Sequence, residues 1–230
     1  MWPRIFGIEG KRKRLLRNTS TGALHDFYSE PFPDLNTPIR NASYIVLDFE
    51  TTGLDLQKDH VISIGLVEID SLGIKLNTAH HEIIRTDLEV PEQSAVIHQI
   101  TDDMILEGTG LKAALDGLLE RLKGKVLIAH HAQVEFGFLR RLCADIYNQD
   151  FVMPVIDTRL LAKRQLLRSQ VTLKNDSLRL FNLRDRYKLT AYKAHNALSD
   201  ALSTAELFLA LVSDLYPNLD CRLKDLVVKK

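Results

Sequence analysis

The chain has 230 residues and a mass of 26.1 kDa, the size of one domain with or without flanking segments. Hydrophobic residues make up 45% and charged residues 26%, a globular mix that excludes a wholly disordered chain. Thirty basic residues balance thirty acidic ones, which excludes coating of nucleic acid by bulk charge but leaves a local binding groove open. No apolar run approaches the ~18 residues that span a bilayer, so no membrane partner is expected. MWPRIFGIEG lacks the basic-then-apolar order of a secretory signal, and Cys143 and Cys221 form no ligand spacing. A cytoplasmic, reducing location fits best.

Residues 1–40 read as an extension over the core domain. KRKRLLR, with Lys11, Arg12, Lys13, Arg14 and Arg17, reads as a solvated basic arm or a contact for a nucleic-acid backbone. LHDFY suggests a short helix. Pro31, Pro33 and Pro38 then argue against a regular element before the first strand.

From residue 43 the pattern is regular. SYIVLDFE is a β-branched and aromatic run, read as a buried strand, and TTGLD is a turn. HVISIGLVEID is a second strand, and Asp70-Ser71-Leu72-Gly73 turns into a third, IKLNTAHHEIIR. Leu111, Leu115, Leu118, Leu119 and Leu122 recur at helical spacing. A strand at 125–129, a helix at 134–146, a short strand at 155–156 and a helix at 158–167 follow. The last strong helix runs over 195–215, with Leu198, Leu202, Ala205, Phe208, Leu209 and Val212 inward. Three strands followed by alternating helix and strand give an α/β fold: a five-stranded mixed sheet flanked by helices on both faces. Residues 41–215 form the domain and 216–230 a short tail.

Asp48 and Glu50 stand two apart at the end of the first strand, so they share a face. Two carboxylates beside YIVL either face solvent at the strand end or, being costly without a counter-charge, hold a cation, and oxygen ligands suit Mg²⁺ or Mn²⁺. In HNALSDA, His195 and Asp200 lie about 140° apart if both are helical. They share a site most easily if His195 precedes the helix. Asn196 or Ser199 also reads as a cap. Glu135 in LIAHHAQVEFGFLRRL is an acid early in a helix. His130 and His131 lack further ligands at zinc spacing, and His25, His80 and His81 read as surface or strand histidines.

In this order, DFETTG, AHH…E…FL and H…D resemble the DEDDh 3′–5′ exonucleases, which include the proofreading epsilon subunit of bacterial DNA polymerase III. VPEQSAVIHQITDDM and IDTRLLAKR are similar to two further family segments, so the resemblance covers most of residues 43–213. It implies a ribonuclease H-like fold. It also implies that Asp48, Glu50, Glu135 and Asp200 hold two Mg²⁺ or Mn²⁺ ions, with His195 as general base. Where the common second motif is HNAxFD, this chain has His130-His131-Ala132-Gln133-Val134-Glu135, and the glutamate reaches one methylene further. The resemblance further suggests Thr51, Thr52, Leu54 and His98 as contacts for the terminal nucleotide. Gln93 replaces a frequent glutamate contact, and Asp157 is structural.

Two metals would serve both ends of an in-line phosphodiester displacement, and a histidine of ordinary pKa, about 6.5, takes a proton near neutrality. The expected activity is 3′–5′ exonucleolytic release of nucleoside 5′-monophosphates from single-stranded or frayed DNA. An exoribonuclease, a non-catalytic nucleic-acid- or polymerase-binding module, and a small-nucleotide hydrolase are the competing readings. A DNA polymerase or other replication or repair protein is the expected protein partner.

Overall fold

The computed structural model describes residues 7–86, 98, 100–170, 174, 176–192 and 194–228. Gln93, which stands in place of a frequent glutamate contact, and most of the VPEQSAVIHQ segment around it lie outside these residues.

The central strand β1 (Ser43–Thr51) pairs antiparallel with β2 (Val61–Asp70), which pairs antiparallel with β3 (Gly73–Arg85). The β2–β3 turn places Ser71 and Leu72 in the left-handed region, the conformation a two-residue hairpin needs. On its other side β1 pairs parallel with β5 (Val126–Ala129), and β5 with β6 (Val155–Asp157). A two-residue strand, β4 (Thr109–Gly110), joins the edge of β3, giving the order β4-β3-β2-β1-β5-β6. The sequence reading gave five strands. Two residues are too few for an alternating pattern to show.

Strand parity divides the interior. Ile45, Leu47 and Phe49 face α4 (Leu111–Leu122) and α5 (Gln133–Tyr147) in one cluster. Tyr44 and Val46 face the other way, toward α6 (Thr158–Arg168), α7 (Leu180–Arg186) and α8 (Ala197–Leu215). Asp48 and Glu50 continue the second face.

The flanks join these clusters. The basic run forms the helix α1 (Ile8–Asn18), followed by α2 (Ala23–Ser29). Lys11, Lys13, Arg14 and Arg17 are exposed, but Arg12 is buried: it pairs with Glu9 at 2.5 Å and donates to the carbonyl of Tyr28. Leu24, Phe27 and Tyr28 are fully buried in the first cluster, and burying a side chain such as Phe27 contributes roughly 1.5–3 kcal/mol. At the other end Cys221 and the helix α9 (Leu223–Leu226) pack into the second cluster, and Val228 N–H donates to the Val155 carbonyl on β6. The short helix α3 (Asp102–Leu106), capped by the Thr101 side chain, and a 3-10 turn at Ile39–Asn41 complete the helices among the described residues. None of these is long and apolar enough to cross a membrane.

Candidate metal centre

Every candidate acid is brought to the carboxyl end of β1. Asp48 and Glu50 share one face of the strand, and a register shift after Glu50 ends the regular β1–β2 pairing. Asp200 comes from the first turn of α8. Asn196 caps that helix, its side chain accepting from Ser199 N–H at 3.1 Å. His195 lies just before the cap in the left-handed region, with φ 63°. Its backbone N–H donates to Asp200 Oδ2 at 2.9 Å, which fixes the carboxylate relative to the histidine.

Carboxylate oxygens of Asp48, Glu50 and Asp200 all lie within 4.8 Å of one another. Glu135, on the first turn of α5, stands beside this triad rather than within it. It is close enough to act electrostatically on Asp48. The residues preceding it are held by Asp157. The buried Asp157 carboxylate caps α6, accepting from Arg159 N–H at 2.8 Å and Leu160 N–H at 3.3 Å, and it also accepts from His131 N–H at 3.2 Å. This is the structural role expected for Asp157. His131 turns the chain through φ 70° into α5.

The electrostatics are those of a site built for a cation. Burial, then the charges of Glu135, Asp200 and Glu50, push Asp48 well above the usual carboxylate range. Burial lifts Glu135 to about 8, and Asp157 adds to the effect. Burial lifts Asp200 to about 6, against the lowering effect of the His195 N–H. Glu50 and Glu135 are each only 5% exposed, and Glu50 Oε1 and Glu135 Oε2 are buried without a hydrogen-bond partner. Orphaned carboxylate oxygens are expensive, and hard divalent cations are their natural partners. The donor set therefore fits Mg²⁺ or Mn²⁺.

The other expected contacts divide. Leu54 is 73% exposed in the loop between β1 and β2. Thr51 and Thr52 spend their hydroxyls on the loop: Thr51 Oγ1 donates to the Gly53 carbonyl at 2.7 Å, and Thr52 Oγ1 donates to Asp59 at 3.0 Å. His98 makes an ion pair with Glu50 through Nδ1, and its ring centroid lies 6.3 Å from that of His195. His98 thus touches one of the clustered carboxylates and lies near His195.

Two supporting features escaped the sequence reading. Ser63, opposite Glu50, bonds His81 Nε2 at 2.7 Å, so His81 belongs to the layer beside the acids. The buried Arg184 donates to the Ser203 carbonyl and to Glu206 on α8, each at 2.7 Å, and to the Thr190 carbonyl in the segment leading to His195. No periodicity marks either pair. His130 is bound to Thr158 Oγ1 and the Leu178 carbonyl, both at 2.9 Å, and burial lowers its pKa to about 4. Among the described residues, the only cluster of potential metal ligands is the acidic one.

The chain, with carboxylates gathered at the end of the central strand of its mixed sheet, belongs to the RNase_T exonuclease family, whose model it matches over residues 45–208. It is 34% identical over 212 residues to the PolC-type DNA polymerase III of Thermotoga petrophila, covering 90% of this chain and 14% of that protein. It is 30% identical over 173 residues to the DNA polymerase III subunit epsilon of Treponema pallidum, covering 75% of this chain and 78% of that one. Cell-death related nuclease 4 shares the fold, with a TM-score of 0.64 at 15% identity over 74% of this chain and 64% of the nuclease. The chain thus spans only a small part of the PolC-type relative.

Proposed function

We propose that this chain is a 3′–5′ exonuclease that releases nucleoside 5′-monophosphates from single-stranded or frayed DNA. The observation that carries this reading is the triad Asp48, Glu50 and Asp200, within 4.8 Å at the end of β1, with Glu135 beside it. These four carboxylates would hold two divalent ions, Mg²⁺ or Mn²⁺. When bound, such a pair supplies stabilisation of charge on the attacking and leaving oxygens of the phosphodiester. His195 takes the proton of the attacking water. It is exposed, adjacent to Asp200, and held by the turn before α8. Leu54 offers an apolar surface to the terminal base, and His98 contacts the sugar or phosphate while holding Glu50. Thr51 and Thr52 shape the pocket wall through their loop bonds. The names of the relatives support DNA over RNA as substrate, and a DNA polymerase or other replication or repair protein as partner. Two free, buried cysteines support a cytoplasmic location.

The test is cleavage of 5′-labelled single-stranded DNA and matched RNA, with Mg²⁺, Mn²⁺ or chelator. A ladder shortening from the 3′ end, dependent on metal, abolished in Asp48→Ala and stronger on DNA, is the expected result. No cleavage of either polymer by folded, metal-supplied protein would overturn the reading.

A further inference from the structure

The outer face of α5, the start of α6 and both flanks of the chain enclose a groove of about 1000 Å³. Its floor is largely aliphatic, with Leu35, Met153 and Val227 among the lining residues. Its rim carries Lys11 on α1, Arg140 on α5, Arg159 and Lys163 on α6, and Lys224 on α9. Against these five cations stands one lining acid, Asp157, already occupied by three backbone N–H groups. Arg140 pairs with Asp150 at 2.8 Å. The other four cations form no salt bridge among the described residues.

Arg159 and Lys163 stand one turn apart on the same face of α6, about 6 Å along the axis. Like charges at this spacing repel. A row of anions at similar spacing would relieve them, and the sugar–phosphate backbone is such a row. None of the four acids lines the groove, but residues close to them along the chain do. His131 and Gln133 line it just before Glu135, and Leu56, from the loop after β1, lines it too. Lys11, Leu35, Lys224 and Val227 lie outside residues 45–208, so the groove is completed by segments beyond the matched family domain.

We propose that this groove is a binding track for single-stranded nucleic acid, its phosphates paired with Lys11, Arg159, Lys163 and Lys224 and its bases against the aliphatic floor. On the exonuclease reading, it holds the strand 5′ to the end being cut. Charge neutralisation makes such binding salt-dependent and sequence-tolerant.

The experiment measures binding of a fluorescent long oligothymidylate to the full chain by anisotropy in chelator, over a salt series. Wild type is compared with Arg159→Glu/Lys163→Glu and, separately, Lys11→Glu/Lys224→Glu. All four positions are partly or fully exposed, and an acid at position 159 suits the first turn of α6. Each double variant should bind about 10-fold more weakly, with its salt slope reduced by about 1.4 for two lost contacts. With Mg²⁺, KM for the long strand should rise while cleavage of a trinucleotide is unchanged. Equal affinity and slope in all three proteins would overturn the track. So would equal damage on both substrate lengths, or binding of an acidic amphipathic peptide in place of the oligonucleotide. Groove-dependent binding by a wild type that cuts nothing would sink the exonuclease reading and leave the track standing.

Discussion

Gly65 faces Asp48 across the β1–β2 ladder, and the space its missing side chain leaves is filled by the backbone at the start of α8. A Cβ there would lie 2.0 Å from the Ala197 carbonyl carbon and 2.1 Å from Leu198 N. The close approach sets how near Asp200 can come to Asp48 and Glu50. Glycine in a strand of β-branched and apolar residues often marks such a contact. Gly65→Ala should therefore displace the helix start and loosen the carboxylate triad. Misplacement by about 1 Å costs on the order of 100-fold in rate, and overpacking costs roughly 1–3 kcal/mol. Mg²⁺ titration and turnover on the same protein would check this. Wild-type metal affinity and rate in Gly65→Ala would show that the helix backbone does not set the site.

Pattern marked pieces of this centre, and the resemblance of the three motifs in their order joined those pieces into one site. Asp48 and Glu50 interrupt a run of apolar residues on one strand face, and His195 and Asp200 open a strongly amphipathic helix. The partners that tune the site were hidden. Gly65 acts through an absence, and His98, expected as a nucleotide contact, pairs with Glu50 across the fold. Arg12 illustrates the same limit: within KRKRLLR it looks like any exposed cation, and only tertiary structure pairs it with Glu9 and the Tyr28 carbonyl. The extension's role in the fold was equally hidden, because its buried residues lie between polar and proline-rich stretches.

That role yields a stability prediction. Phe27 is fully buried, 5.2 Å from the ring of Phe151 and 5.0 Å from that of Tyr28. Phe27→Ala should cost about 3–5 kcal/mol, the usual range for a buried Phe. Urea denaturation would show it as a lower midpoint with one cooperative transition. A loss below about 1 kcal/mol, or a separate early transition, would mean that α1 and α2 are a loosely attached appendage.

Glu135 and His195 should separate in their effects. Glu135→Gln removes a buried carboxylate whose Oε2 lacks a partner, so the chelated variant should be more stable than wild type while activity falls at least about 100-fold. On the proposed mechanism the histidine is a proton acceptor and not a ligand, so His195→Ala should lower kcat by roughly 10²–10⁴-fold and leave the Mg²⁺-induced rise in Tm intact. Thermal melts with and without Mg²⁺, run beside turnover assays, distinguish the two. An equal loss of the Mg²⁺ effect in both variants would contradict this division of roles.

The raised carboxylate pKa values predict how metal and pH act together. Asp200 rises from 3.8 to about 6 and Glu135 from 4.5 to about 8. In chelator the folded protein then keeps protons that the unfolded chain has released. The folded state therefore loses stability as pH climbs from about 4 to about 8. Below that window both states are protonated at these groups and the cost vanishes. Cation binding needs the deprotonated acids and offsets their repulsion, so it releases protons and gains affinity over the same range. The Tm difference between Mg²⁺-loaded and chelated protein should be small near pH 5 and grow steadily to pH 8. The test is a series of melts with paired metal and chelator samples at each pH. A Tm difference that stays flat across the series would mean that Asp200 and Glu135 are already ionised at low pH, and that the acids are not held apart from their ordinary range by burial.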